Sequence, residues 1–229
     1  MAGSLFSRLG RRAFKPVYIV YYRFLFGRRF PFAERLGRAV SAWEAQSGRG
    51  DVPAGKERWE AEYRSGKWEL MRRFDELARY SVLAGYLHQL QAGGSVLDVG
   101  SGEGILCDHL RPLGYSRYHG LDLAEAAVAQ AAARVDSRTT FEAADAESYR
   151  PEGKFDAIVF NECVYYFRDP VGTVLRYRDF LAEGGALLVS MFRSRRADTI
   201  ARRLAEALPL LEETAISNRK GTWVIRVYR

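Results

Sequence analysis

Two cysteines in 229 residues, Cys107 and Cys163, are too few for the multi-bridge framework of a small secreted domain. Seven prolines and 21 glycines exclude a collagen-like or linker-dominated chain. Histidine is scarce as well, at His88, His109 and His119. No two of these stand at i, i+4 with an acid, so no metal site is expected. The uninterrupted apolar run Val17–Tyr22 falls far short of the roughly 20 residues that span a bilayer. With no apolar segment leading to a small-residue cleavage site, the cytoplasm is the expected compartment. What is present is a globular balance, 48% hydrophobic and 28% charged. At this length that means one substantial domain with an appendage.

The net charge of +7 hides a segregation. Residues 1–40 carry nine basic side chains against Glu34, and residues 193–229 carry nine against four. The ends are therefore +8 and +5 and the middle is −6. A mildly acidic body with basic ends is unlike a uniformly basic nucleic-acid binder, and nucleic acid is not the expected partner. Within residues 1–30, aromatic rings from Phe14 to Phe26 alternate with Lys15 and Arg23. That composition suits peripheral contact with an anionic membrane at its cytoplasmic face; the plainer reading is a helix packed on the domain or a partner.

Residues 1–50 read as a basic, aromatic helical extension, with a short helix at Pro31–Gln46 and a turn-rich linker at Gly48–Gly55. A domain over 57–229 follows, with a helical lid or lead-in at 57–92 and a core at 95–229. In the lead-in, Arg58–Arg64 and Trp68–Leu90 read as helices, the second from the spacing of Leu70, Phe74, Leu77, Ala78 and Leu83. The core alternates short apolar strands with helices. Strands are predicted at Ser95–Val99, Tyr118–Leu123, Thr139–Ala143, Phe155–Phe160 and Ala186–Phe192. Helices are predicted near Ile105–Leu113, at Glu125–Val135, at Pro170–Ala182 with Gly184-Gly185 ending it, and at Asp198–Leu208. Leu211–Ile216 and Thr222–Tyr228 form a closing hairpin. The fold class is α/β: a doubly wound, mostly parallel seven-stranded Rossmann-like sheet ending in an antiparallel hairpin, with an N-terminal helical extension.

Ligands of such sheets bind beyond the carboxyl ends of the strands. After the first strand comes Asp98-Val-Gly-Ser-Gly-Glu-Gly104, whose glycines at 100, 102 and 104 let the backbone turn tightly beside a helix N-terminus. A nicotinamide fingerprint needs its third glycine at 105, which is Ile105, and no Gly-Lys-Ser/Thr offers a phosphate loop. The acids Asp98 and Glu103 suit a ligand with an ammonium group or a cationic centre. Asp122 ends the second strand, 24 residues beyond Asp98, where a carboxylate can accept both ribose hydroxyls. Asp145 follows the third strand, in reach of an adenine amine. Each acid alone could be a helix cap or turn former. The ordered set at successive strand ends is the signal.

With Leu121-Asp122-Leu123, Ala144-Asp145-Ala146 and Phe155-Asp-Ala-Ile-Val-Phe160, the glycine loop resembles the class I S-adenosylmethionine-dependent methyltransferases of small-molecule and sugar type, over roughly residues 57–192. The resemblance implies S-adenosylmethionine as cofactor and a methyltransferase activity. It implies that Asp98, Gly100, Ser101, Gly102 and Gly104 run under the methionine part and that Asp122 and Leu123 meet the ribose. Asp145 and Ala146 would face the adenine, while Asn161, Glu162 and Val164 line the remaining wall. Trp59, Tyr63 and Trp68 look like an aromatic lead-in that caps the pocket; ordinary packing is their other reading.

The catalytic candidates are Glu162, Tyr165 and Tyr166. Glu162 is either the acceptor's general base or a carboxylate that binds cofactor or caps a helix. The two tyrosines either orient the acceptor or pack. Cys163 has no basic partner nearby and methyl transfer needs no covalent intermediate, so it is not a candidate nucleophile. The expected acceptor is a small molecule or glycan, oxygen slightly favoured over nitrogen, which a lipid at the membrane could present. Protein or RNA methylation, and a cofactor-binding module without turnover, are the rival readings.

Overall fold

The computed structural model describes residues 55–229. The expected extension over residues 1–50 and the helix at 31–46 lie outside the described residues. The lead-in consists of helix α1 (Lys56–Arg64), a 3-10 turn (Lys67–Arg72) and helix α2 (Phe74–Leu90). The core follows as β1 (Gly93–Val99), α3 (Ile105–Leu110), β2 (Tyr115–Asp122), α4 (Glu125–Ala131), β3 (Thr139–Ala143) and β4 (Phe155–Asn161). Then come α5 (Pro170–Arg178), β5 (Leu181–Phe192), α6 (Arg195–Ala207), β6 (Leu210–Ser217) and β7 (Thr222–Tyr228).

The seven strands form one sheet in the order β3-β2-β1-β4-β5-β7-β6. Strands β1 to β5 pair in parallel, and β7 runs antiparallel beside β5. The central strands are largely apolar because both faces are covered, and their alternate residues divide between two cores. Leu97, Val99, Ile158, Phe160, Leu187 and Val189 meet Val174 and Tyr177 of α5 and Ile200 and Leu204 of α6. Val96, Ala157, Val159, Leu188 and Ile225 meet Leu83 and Leu87 of α2 and Leu106 and Leu110 of α3. Local signals close the helices: Asp169 accepts the Gly172 amide (3.0 Å) before Pro170 opens α5, and Ser194 accepts that of Ala197 (3.1 Å) at α6.

Two expected elements are corrected. Trp68–Leu90 is not a single helix: Arg73 is extended (ψ 154°) and separates the 3-10 turn from α2. The buried face of α2 is Glu76, Arg79, Tyr80, Leu83, Ala84 and Leu87, while Phe74 and Leu77 are 87% and 38% exposed. Helix α5 also stops at Arg178 rather than Ala182, because Phe180 already gives its carbonyl to the Phe155 amide (2.9 Å) and Leu181 pairs with Phe155. Gly184-Gly185 therefore lies inside β5, in an irregularity where the register jumps from Leu181 opposite Phe155 to Ala186 opposite Ala157. Glycine is needed there. Gly184 has φ 71°, and a Cβ on Gly185 would sit 2.9 Å from the Ala182 carbonyl.

After β1 the chain builds outward through β2 and β3, then returns to β4 on the other side of β1. That reversal sets residues 100–104, after β1, beside residues 161–166, after β4, at the place where ligands of such sheets bind.

Candidate active site

The glycine loop takes its shape from steric necessity. Gly100, Gly102 and Gly104 have φ of 73°, 56° and 82°. A Cβ on Gly100 would stand 2.6 Å from that of Cys163, and one on Gly102 would stand 2.7 Å from the Tyr63 hydroxyl. The loop is thus held between the corner after β4 and the lead-in. The Ser101 amide anchors it by donating to the Leu121 carbonyl (2.7 Å).

Under the loop, Asp98 is 1% exposed. One of its oxygens accepts from the Tyr118 hydroxyl, and the other has no partner among the described residues. Burial pushes its pKa up to about 7, opposed by the Tyr118 hydrogen bond and aided by the negative charge of Asp122. Asp122 accepts the amides of Gly102 and Ala124, each at 2.9 Å. Burial nevertheless raises it to about 6. Ser101 Oγ and Glu103 Oε1 are also buried without a partner among the described residues. Leu123 is half-buried beside this acid.

Asp145 is exposed at the end of β3, where its side chain closes a turn by accepting the Glu147 amide (2.9 Å). The Ala146 carbonyl accepts from Arg176 (2.6 Å) and from the Tyr177 hydroxyl (3.0 Å), which pins this stretch to α5.

Among the described residues Glu162 alone, apart from glycines, has a positive φ, 61°. Its carboxylate accepts from the Ser190 hydroxyl (3.1 Å), the Phe192 amide (3.1 Å) and the Tyr165 hydroxyl (2.7 Å). Burial raises its pKa, and the Arg79 charge and these bonds oppose the rise. Val164 is fully buried, and the Cys163 thiol donates to the Val99 carbonyl (3.0 Å). Burial lifts that thiol well above its ordinary value, so it is no thiolate.

The aromatic candidates form one connected wall. Tyr63 and Trp59 lie 6.0 and 5.6 Å from Trp68, Trp59 meets Tyr166 edge-on at 4.8 Å, and Tyr166 meets Tyr165 at 4.7 Å. Glu60, between the two α1 aromatics, accepts the Glu125 and Ala126 amides (2.6 and 3.3 Å) and so caps α4 from the lead-in. A cleft of about 480 Å³, lined by Tyr63, Trp68, Glu69, Arg72, Glu103 and Gln130, opens beside the loop. This lies within the usual range for small-molecule sites.

Sequence reasoning missed Glu60, Glu76, Arg79 and Ser190. Arg79 is 2% exposed and donates to the Asn161 side-chain oxygen and to Glu76 (3.0 Å). Its signal was available: residues 76 and 79 continue the helical face of Tyr80, Leu83 and Leu87. Charged letters on an apolar face hid them.

Unpartnered acceptors on Asp98 and Ser101 under the loop, a cleft beside it and an adjoining aromatic wall fit a polar cationic nucleoside such as S-adenosylmethionine. The comparisons agree. A family model described as a methyltransferase domain matches residues 63–223. No curated protein matches the chain. Among solved structures, N-methyltransferase NodS of Bradyrhizobium japonicum, with S-adenosyl-L-homocysteine, shares 24% identity at TM-score 0.63, over 71% of this chain and 90% of its own. The 1,6-didemethyltoxoflavin-N1-methyltransferase of Burkholderia thailandensis, with its namesake compound and S-adenosylhomocysteine, shares 20% at TM-score 0.64, over 76% and 86%. The [4+2]-cyclase SpnF shares 18% at TM-score 0.57, over 66% and 80%. These structures share the fold. With most of its length inside the family match, the chain belongs to the class I S-adenosylmethionine-dependent methyltransferases.

Proposed function

We propose that this methyltransferase acts on a small organic acceptor, a hydroxyl-bearing or glycosidic one in preference to an amine, and that Glu162 is the acceptor's base. The observation that carries the reading is the half-buried Glu162 carboxylate, one residue before the Cys163 that packs on Gly100 of the loop. Three of its roughly four acceptor positions are filled by Tyr165, Ser190 and Phe192. The remaining position is free to take a hydroxyl proton.

When bound, S-adenosylmethionine supplies an electrophilic methyl group on a sulfonium. The chain's own part is to bind, align and exclude water, since a displacement needs acceptor, methyl and sulfur in line. In this reading Asp122 and Leu123 hold the ribose, while Asp98 and Ser101, with the loop of Gly100, Gly102 and Gly104, lie along the amino-acid end. Asp145 and Ala146 border the adenine, and Asn161 and Val164 form the opposite wall. Trp59, Tyr63 and Trp68 close over the cleft. Tyr165 and Tyr166 orient the acceptor, Tyr165 also steering the Glu162 carboxylate through its 2.7 Å bond.

Three solved neighbours, the glycopeptide enzyme MtfA among them, are named N-methyltransferases, which supports an amine acceptor as the second reading. SpnF, a cyclase by name, supports a third, in which the pocket serves something other than methyl transfer. Calorimetry with S-adenosylmethionine comes first: saturable one-to-one binding is expected, and its absence overturns the proposal. Transfer from a methyl-labelled donor into pooled sugars, alcohols and amines then separates the readings. Label in hydroxyl-bearing products supports the oxygen acceptor, label confined to amines moves the assignment to nitrogen, and binding without label favours the third. Acceptor binding that weakens steeply with salt would point to RNA instead.

A further inference from the structure

Arg79 is the largest of the fully buried side chains. Its guanidinium bridges two elements far apart in sequence. One nitrogen donates to the Asn161 side-chain oxygen at the end of β4; the other donates to Glu76 (3.0 Å) and points at Met71 Sδ (3.6 Å). The group also lies over the Tyr80 ring at 4.4 Å. An ion pair buried between a helix and a sheet is a poor source of stability, since apolar side chains of similar volume do as well or better. What the fork provides is geometry and charge at one spot, the Asn161–Glu162 corner. Among the described residues, the groups that act on Glu162 are Arg79 from α2 with Glu76 behind it, Cys163, Tyr165 and Tyr166 from the corner itself, and the uncharged Ser190 hydroxyl and Phe192 amide from β5. Arg79 is the cation of this set.

We propose that Arg79 is a positioning residue for methyl transfer: its fork holds the Asn161 side chain, fixing the corner after β4, and its positive charge faces the Glu162 carboxylate. The proposal rests on the reading of Glu162 as the acceptor's base. Burial favours the protonated form of Glu162, and Arg79 works against it, so the base stands ready in its charged form. Arg79 is itself held charged: burial opposes the cation, but Tyr80, Glu162 and Glu76 outweigh it.

The test is a titration of the full-length chain with ¹³C-labelled glutamate carboxyls, the Glu162 resonance being assigned by its loss in Glu162→Gln. In Arg79→Gln the Glu162 midpoint should rise by about one pH unit, a tenfold change in proton affinity. Arg79→Lys, which keeps the charge but not the fork, should restore most of that shift. S-adenosylhomocysteine affinity, the companion readout, should change by less than about threefold. An unmoved midpoint in Arg79→Gln overturns the proposal. So does a loss of S-adenosylhomocysteine binding in Arg79→Lys with the midpoint unmoved, which would make Arg79 a cofactor ligand. If Arg79→Gln does not fold, Glu76→Gln decides: freeing Arg79 of its neighbouring anion should lower the Glu162 midpoint, and an unchanged one overturns the proposal. A wild-type chain that binds no S-adenosylhomocysteine defeats the methyltransferase reading, while the midpoints still decide the role of Arg79.

Discussion

In the site we propose, Asp98 and Asp122 are the two carboxyls most altered by their surroundings. Both carboxyls are raised in the folded chain, to about 7 and about 6 from an ordinary 3.8. A group with a raised folded pKa contributes stability that is complete below its unfolded value and is lost as pH rises through the folded one. The free protein should therefore melt at progressively lower temperature from about pH 4 to pH 7. Asp98→Asn should flatten that decline; an equally steep curve would mean that Asp98 ionises freely. A cationic ligand favours the charged forms, so binding of S-adenosylmethionine at pH 6.5 should release protons, read as a binding enthalpy that varies with the ionisation heat of the buffer. Asp122 has the more specific role in our proposal. Asp122→Ala should weaken the cofactor by about 1–3 kcal/mol, the cost of removing a buried charged acceptor, and unaltered affinity would put the ribose elsewhere.

At the level of elements, α2 packs on the core through its apolar face, and α1 and the turn after it are tied down by polar contacts as well. The Lys56 ammonium pairs with Glu125 (2.6 Å), Arg72 with Glu103 (3.0 Å), and the Gln130 amide donates to the Tyr63 carbonyl (3.2 Å). The central one is Glu60, whose carboxylate replaces the missing side-chain cap of α4. Glu60→Ala should cost about 1–2 kcal/mol in denaturant unfolding, as loss of a helix cap does. It should also speed cofactor release in stopped-flow mixing if α1 is the lid we propose. Stability loss with an unchanged release rate would leave Glu60 a cap and nothing more. None of these ties could be read from the sequence, because a carboxylate capping a helix 65 residues away leaves no local pattern. Strand ends were legible for the opposite reason: glycines and acids that close a βα turn sit next to the apolar run they terminate. Gly184-Gly185 misled because paired glycines announce a break without saying whether a helix or a strand breaks. The face of α2 misled because Phe74 and Leu77 fit a helical period as well as the charged pair Glu76 and Arg79 that is buried instead.

At the scale of the whole chain, eight net positive charges lie within residues 1–40, ahead of the family match that begins at residue 63. Among the described residues no helix is long and apolar enough to cross a membrane. We propose that residues 57–229 are the catalytic domain and that residues 1–50 are an extension with affinity for anionic lipid, in keeping with an acceptor presented at a membrane. The two halves of that proposal separate experimentally. A chain beginning at residue 51 should bind S-adenosylmethionine as tightly as the full chain, because every group assigned to the cofactor lies beyond that point. It should also fail to float with phosphatidylserine-containing vesicles that carry the full chain. Flotation of the full chain should weaken between low and moderate salt, since screening limits charge attraction to about 8–10 Å at physiological ionic strength. Equal flotation of the two chains would end the membrane assignment, and loss of cofactor binding in the shorter one would show that the first 50 residues complete the methyltransferase.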